Sequence, residues 1–282
     1  MEACPHCGGA VAAFGVYKHR WWTCSRCGCA TREPRPSLAA DRLPAFLRAR
    51  LPAALLRDPG ITAAPGNAFF RGDGGAAAAR EVVDVRRWLS EGGIRPAGRV
   101  VDVGGGPGFV AADLMKDADV VLLEHSPHAI SAARSRGVDA RPFDFAGPPL
   151  RAVVEGSFQL ILVRYSLGWC RDLPRFLVDL ATIAAPGCAL LLTFVTPSVG
   201  AFLGSALEDA APAVLWEAAH VERVLHTHGW RIDRRFVPTP AMRLADAHGR
   251  AFRAFSVPWR IQPAGWSRDL RQHHLGFLAQ RA

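Results

Sequence analysis

The sequence feature that most constrains the fold is an apolar run that ends in a glycine-rich turn. Residues 99–103 read Arg-Val-Val-Asp-Val and lead into Gly-Gly-Gly-Pro-Gly at 104–108, followed by a helical pattern from Phe109. A second apolar run stops at Glu124. Glycine lets the backbone turn sharply and approach a ligand, because no Cβ is in the way. A carboxylate after the next strand can accept hydrogen bonds from ribose hydroxyls, so the pattern predicts a nucleoside-cofactor pocket.

The glycine spacing decides which cofactor fits. A dinucleotide fingerprint needs Gly or Ala at the sixth position of G-x-G-x-x-G, and counting from Gly104 that position is Phe109. The pattern that remains is D-x-G-x-G-x-G, formed by Asp102, Gly104, Gly106 and Gly108. With this pattern, residues 98–282 resemble the class I S-adenosylmethionine (SAM) methyltransferases.

The resemblance implies an α/β fold with a Rossmann-like seven-stranded sheet and SAM as cofactor. It implies that the glycine loop wraps the amino-acid end of SAM, that Glu124 holds the ribose and that Asp144 touches the adenine. Two further features follow in the order of the family. They are a strand at 158–163 and a helix-turn-strand at 177–195 that contains the turn Ala-Pro-Gly-Cys at 185–188.

The N-terminus carries two Cys-x-x-Cys pairs, separated by 16 residues and formed by Cys4, Cys7, Cys24 and Cys27. Four thiolates at this spacing suit a tetrahedral Zn²⁺ site, and a site with four protein ligands is structural because no coordination position stays open. Two disulfides or four unrelated buried thiols are the alternatives, and Cys29 and His6 are possible replacement ligands. The segment resembles a zinc ribbon that precedes the methyltransferase domain in bacterial enzymes, many of which act on sugars and other small metabolites.

These signals predict three parts: a zinc ribbon at 1–35, a connector with lead-in helices at 36–97, and a SAM-binding domain at 98–282. The lead-in part contains a predicted helix at 76–91 that ends at Gly92-Gly93. Alternating apolar runs predict parallel strands near 99–103, 119–123, 138–141, 158–163, 188–195 and 230–236. The segment 273–280 resembles the antiparallel last strand of the family.

Charge and composition limit the partners. The chain of 282 residues has a net charge of +9, with +6 in residues 1–57, −1 in 58–198 and +4 in 199–282. This basic shell could steer an anionic substrate or RNA, although arginine is spread over the whole sequence. No apolar run approaches the roughly 18 residues of a membrane span, and no signal segment follows Met1, so we expect a cytoplasmic protein that does not bind membranes. The oligomeric state is not predicted.

Chemistry is expected at the carboxyl ends of the fourth and fifth strands, where open α/β sheets bind ligands. Many relatives carry a Glu-His pair just after strand 4, whereas this sequence has Leu167-Gly168. His220 is the best replacement base, and Arg164 and Tyr165 could orient an anionic substrate. The sequence therefore predicts methyl transfer from SAM to an oxygen or carbon of a small, anionic metabolite of sugar or natural-product type. An rRNA or tRNA base methyltransferase and a non-catalytic SAM-binding zinc protein are the alternatives.

Overall fold

The computed structural model describes residues 3–16, 19–32, 75–197, 213–237 and 274–281. Most of the predicted connector, together with Tyr17, Lys18 and Ser198, lies outside these residues. Within the part that is described, no helix is long and apolar enough to cross a membrane.

A seven-stranded mixed sheet forms the centre of the molecule. Its strands are β4 (Arg99–Val103), β5 (Asp119–Glu124), β6 (Asp139–Pro142), β7 (Phe158–Arg164), β8 (Ala184–Val195), β10 (Trp230–Phe236) and β11 (His274–Arg281). They lie in the order β10-β11-β8-β7-β4-β5-β6, and β11 runs antiparallel to both of its neighbours. This is the predicted Rossmann-like sheet with its antiparallel last strand, and the fold class is confirmed.

Helices cover both faces of this sheet, which explains why its central strands are apolar on both sides. On one face, α1 (Gly75–Glu91), α2 (Phe109–Leu114) and α3 (Pro127–Arg134) contribute to a core that includes Trp88 and Leu162. On the other face, α4 (Leu173–Ile183) and α5 (Ala218–Thr227) enclose a core that includes Leu177 and Val221. The predicted lead-in helix is therefore α1, and it packs against the sheet.

The predicted turn at 185–188 differs from the structure. The helix α4 ends at Ile183 and β8 begins at once at Ala184, so these four residues belong to the strand. Gly187 has a φ of 70°, and the pairing of β7 with β8 shifts register between Phe158 and Leu160. The chain therefore makes an irregular strand entry where a separate turn was expected.

The N-terminal residues form a small antiparallel sheet that continues into the methyltransferase-like part. It contains β1 (Val11–Val16), β2 (His19–Cys24) and β3 (Ala30–Arg32), and its fourth strand is β9 (Val214–Leu215). In this pairing Ala30 faces Leu215, and the Arg32 N–H donates to the Ala213 carbonyl at 2.8 Å. Residues just before α5 thus complete the N-terminal sheet.

Candidate active site

The glycine turn between β4 and α2 has the backbone geometry that its sequence predicts. Gly104, Gly106 and Gly108 have φ values of 71°, 59° and 79°, in the left-handed region that favours glycine. A Cβ on Gly104 would lie 2.2 Å from the Ser166 Cβ. The Ser166 hydroxyl also donates to the Val103 carbonyl at 2.8 Å. The loop is therefore packed tightly against the turn that follows β7.

Glu124, at the carboxyl end of β5, is bound to the glycine loop. Its Oε2 accepts the Gly106 N–H at 2.9 Å, and its Oε1 accepts the N–H groups of His125 and Ser126 at 2.8 and 2.9 Å. A carboxylate has about four acceptor positions, so three backbone donors leave it able to accept a further hydrogen bond. The structure thus brings Glu124, the residue predicted to bind the ribose, into contact with the predicted glycine loop.

Asp144 lies at the same edge of the sheet, after β6. The Phe143 N–H donates to the Glu124 carbonyl, which holds the two strand ends side by side. One Asp144 oxygen accepts the Ala146 N–H at 2.9 Å, and the other lies 3.6 Å from His125 Nδ1. Its side chain is 54% exposed, so it is accessible to a ligand at this edge.

Asp102, by contrast, is fully buried, and its carboxylate pairs with a side chain of another strand. Arg164 at the end of β7 donates to both of its oxygens, from Nη2 at 2.7 Å and from Nε at 3.3 Å. The remaining guanidinium nitrogen, Nη1, contacts Glu81 on α1. Although burial disfavours the charged guanidinium, the two carboxylates raise the pKa of Arg164 above its usual value.

The substrate-orienting role of Arg164 stays a prediction, and this pairing does not favour it. Its side chain is only 3% exposed, and its charge is shared between two carboxylates, so it presents no unpaired cation to an anionic substrate. Sequence reasoning missed Glu81, although a signal was present. Glu81 lies four residues before Val85, on the helix stripe that Trp88 and Leu89 continue, and an acid on such a stripe needs a buried partner.

Tyr165 follows Arg164 in an unusual backbone conformation. Its φ of 56° makes it the one non-glycine residue with a positive φ among the described residues. Its N–H contacts Thr193 on β8, at 2.9 Å from the carbonyl and 3.1 Å from the hydroxyl. Burial and the nearby Glu81 carboxylate raise the pKa of the phenol. Conformations of this kind persist only where the surroundings enforce them, and they cluster at functional sites.

The family model for methyltransferase domains matches residues 71–268, which is more than two thirds of the chain. The chain belongs to this methyltransferase family. It is a SAM-dependent methyltransferase by family, fold and loop pattern. No curated protein matches its sequence.

Solved structures share the fold at low identity. A plantazolicin methyltransferase, BamL, aligns with a TM-score of 0.52 and 13% identity, covering 76% of this chain and 89% of that one. A SAM-dependent methyltransferase from Mesorhizobium loti aligns with a TM-score of 0.51 and 19% identity, covering 73% and 99%. The magnesium protoporphyrin IX methyltransferase from Synechocystis PCC 6803 aligns with a TM-score of 0.50 and 17% identity, covering 73% and 84%.

The methyltransferase also carries a cluster of four thiols in its N-terminal sheet. The sulfurs of Cys4, Cys7, Cys24 and Cys27 all lie within 4.8 Å of one another. The Cys4–Cys27 and Cys7–Cys24 separations are 3.6 and 3.4 Å. A disulfide would need about 2.05 Å, whereas a tetrahedral site with Zn–S bonds of about 2.3 Å spaces its sulfurs by about 3.8 Å.

Backbone donors support this thiol cluster. The N–H groups of Arg26 and Cys27 point to Cys24 Sγ at 3.3 and 3.4 Å, and that of His6 points to Cys4 Sγ at 3.4 Å. The arrangement of the four thiols therefore suits the donor set of a metal ion. Two of these residues, Cys4 and Cys24, are themselves buried.

His220, the predicted base, lies in the first turn of α5 and is 3% exposed. Its Nδ1 is 2.8 Å from Arg223 Nη2. A guanidinium can only donate, so Nδ1 is the acceptor and the ring proton is on Nε2. Burial, with the Arg223 charge second, lowers the pKa of His220 to about 4.

The rings beside His220 come from the residue after β9 and from the segment before β1. Its ring stacks on Trp216 with centroids 5.7 Å apart, and the His6 ring lies 6.2 Å away. A general base must offer a lone pair to its substrate, and the one lone pair of this ring faces Arg223. The base role of His220 stays a prediction, and this geometry does not favour it.

Proposed function

We propose that this methyltransferase transfers the methyl group of SAM to an oxygen or carbon of a small, anionic metabolite of sugar or natural-product type. The observation that carries the proposal is the hydrogen bond from the Gly106 N–H to Glu124. It joins the glycine loop to the carboxylate at the carboxyl ends of β4 and β5. The net charge of +9 supports an anionic acceptor through long-range attraction. Small-molecule acceptors are supported by solved structures of the same fold that are named for porphyrin and plantazolicin substrates.

In this proposal, Gly104, Gly106 and Gly108 hold the amino-acid end of SAM, Glu124 accepts a hydrogen bond from the ribose and Asp144 lies at the adenine. Bound SAM supplies an electrophilic methyl group. The protein has to align the acceptor with that methyl group and, for a hydroxyl, to hold its proton. Asp102 acts indirectly, because its carboxylate pairs with Arg164 at the end of β7.

Of the three predicted catalytic residues, we propose only Tyr165 for a role beside the methyl acceptor. It follows β7, in a conformation that Thr193 on β8 holds, so its position is set by the two strands whose ends flank this side. Arg164 is a positioning residue, since its guanidinium joins β4, β7 and α1 through Asp102 and Glu81.

We further propose that Cys4, Cys7, Cys24 and Cys27 hold one Zn²⁺. With four thiolates the ion has no open coordination position, so it stabilises the N-terminal sheet and takes no part in methyl transfer. Such a metal is needed because a sheet of this size buries little apolar surface of its own.

The test is a transfer assay with methyl-labelled SAM, purified protein, and separate metabolite and RNA fractions of a bacterial extract. We expect label in anionic small molecules and none with Gly106→Val, which fills the loop. Label confined to RNA, with strongly salt-dependent binding, would replace the small-molecule acceptor by rRNA or tRNA. Absence of transfer to either fraction by protein that binds SAM would contradict the proposed acceptor class.

A further inference from the structure

The contact between the N-terminal sheet and α5 is built around four side chains, which we call the ribbon junction: His6, Cys29, Trp216 and His220. Cys29 is 1% exposed and belongs to the same core as the strands of the large sheet. The His6 and Trp216 rings are 4.5 Å apart, and His6 Nε2 lies 3.0 Å from the Thr31 hydroxyl. The metal-binding part is therefore packed into the catalytic domain.

At this junction His220 has a buried N–H group that no described residue accepts. Its proton is on Nε2, because Arg223 occupies Nδ1, and Nε2 has no hydrogen-bond partner among the described residues. A buried donor without a partner costs free energy. One ring nitrogen of His220 and the sulfurs of Cys27 and Cys29 all lie within 4.8 Å of one another.

The position of the ring proton favours a hydrogen bond from His220 to sulfur over ligation of a second metal ion by His220. With Nδ1 facing a guanidinium, the neutral ring has no second lone pair for a metal ion. Nε2 makes no hydrogen bond to sulfur in this structure, but a short approach to a metal-bound thiolate of Cys27, or to the Cys29 sulfur beside it, would let it donate its proton. Groups that donate to metal ligands orient them and slow the loss of the metal.

From His220 the contact continues to the turn after β7. The His220 and Trp216 rings are nearly parallel, at an interplanar angle of 13°. The Trp216 indole N–H donates to the Leu167 carbonyl at 2.9 Å. Leu167 begins the turn Leu167–Trp169. The N–H groups of Trp169 and Cys170 stabilise this turn, each through a backbone hydrogen bond of 3.0 Å.

We propose that His220 is a positioning residue of the metal centre, which donates its Nε2 proton to the Cys27–Cys29 sulfur pair and, through Trp216, makes the Leu167–Trp169 turn depend on the bound metal. This inference rests on the proposed function, which places Zn²⁺ in the thiol cluster and the acceptor beside this turn. Metal occupancy then orders the acceptor side, and it affects the glycine loop less, because Glu124 also holds that loop.

The experiment compares full-length, zinc-loaded wild type with His220→Phe and His220→Gln. Glutamine keeps an N–H near the position of Nε2 but removes the imidazole, whereas phenylalanine keeps the ring shape and removes the donor. His226→Phe is the matched control, because His226 is exposed on the same helix. Zinc transfer to a chromogenic chelator and hydrogen exchange of the Trp169 and Cys170 amides are measured in each protein.

We expect His220→Phe to release zinc about 10-fold faster or more, with His220→Gln and His226→Phe close to wild type. Exchange at Trp169 and Cys170 should rise in His220→Phe and in chelator-treated wild type, since loss of a supporting contact makes local opening easier. Exchange of the loop at 104–108 should rise less than at Trp169 and Cys170, because the loop is also bonded to Glu124, and SAM affinity should stay close to that of wild type.

Failure of the two proposals can be told apart by the zinc content. A zinc stoichiometry of zero in wild type would remove the metal from the proposed function and this inference with it. One zinc per chain with wild-type release in His220→Phe would overturn this inference alone. If His220→Phe does not fold, unchanged exchange at Trp169 and Cys170 after zinc is removed from wild type would have the same meaning.

Discussion

The two halves of the carboxyl edge of the sheet satisfy their polar groups in different ways. At β4 and β5, the Glu124 carboxylate is bound by backbone N–H groups of Gly106, His125 and Ser126, at most 18 residues away. At β7, Arg164 is bound by Asp102, 62 residues away, and by Glu81, 83 residues away. The proposed cofactor half is therefore encoded within one short segment, whereas the proposed acceptor half depends on side chains from distant parts of the chain.

The proposed metal centre joins both ends of the N-terminal sheet through four thiols, and its loss should have the largest effect. Cys24→Ser removes one of four thiolates, and apparent zinc-binding free energies in small zinc sites are about 10–16 kcal/mol. We expect one zinc per chain in wild type and proteolysis of residues 3–32 before the rest of the variant. Metal analysis and limited proteolysis measure this, and Cys188→Ser in β8 is the control.

Freshly reduced wild-type protein that contains no zinc would contradict that prediction. So would a Cys4–Cys7 disulfide in the purified chain.

The buried ion pair of the acceptor half gives the next largest effect. Arg164→Ala leaves the Asp102 carboxylate buried without its partner, which costs about 3–5 kcal/mol of folding free energy. Equilibrium urea unfolding measures it. Glu81→Gln should cost less, because Glu81 is partly exposed.

Glu91→Gln is the control on the same helix, where the pair with Arg234 is exposed on both sides and is worth about 0–1 kcal/mol. Equal losses for Arg164→Ala and Glu91→Gln would mean that Arg164 does not join the two halves of the edge.

The contact between the halves can be tested at Gly104. A Cβ there would meet Ser166 at 2.2 Å at a φ of 71°, so we expect Gly104→Ala to cost about 2–4 kcal/mol from overpacking and backbone strain together. Gly137→Ala is the matched control, since its φ is 81° but a Cβ there would have nothing within 4 Å. Unfolding free energies that fall equally in the two variants would show that the loop does not pack on Ser166.

The same comparison explains what the sequence could predict. Asp102 and the three glycines stand in one motif and Glu124 ends the next apolar run, so the loop and its carboxylate could be placed from the sequence pattern and the family resemblance. The boundaries of β4 and β7 also followed from apolar runs buried on both faces. The pairs of Arg164 and the surroundings of His220 could not be predicted, because α1 and the N-terminal sheet reach them only through the tertiary fold.

The prediction of a turn at 185–188 was wrong for a related reason. Pro186 and Gly187 are strong turn signals in isolation, but pairing of β8 with β7 absorbs them as a register shift. Local propensity was overridden by the neighbouring strand.

The central claim is that the β4–β5 edge holds SAM through the glycine loop and Glu124. Titration calorimetry of SAM with wild type, Glu124→Ala and the exposed control Glu155→Ala tests it most directly. Loss of charge-assisted hydrogen bonds predicts weaker binding by about 1.5–3 kcal/mol in Glu124→Ala, with Glu155→Ala unchanged. Wild-type affinity in a folded Glu124→Ala variant would contradict the account and place the cofactor elsewhere.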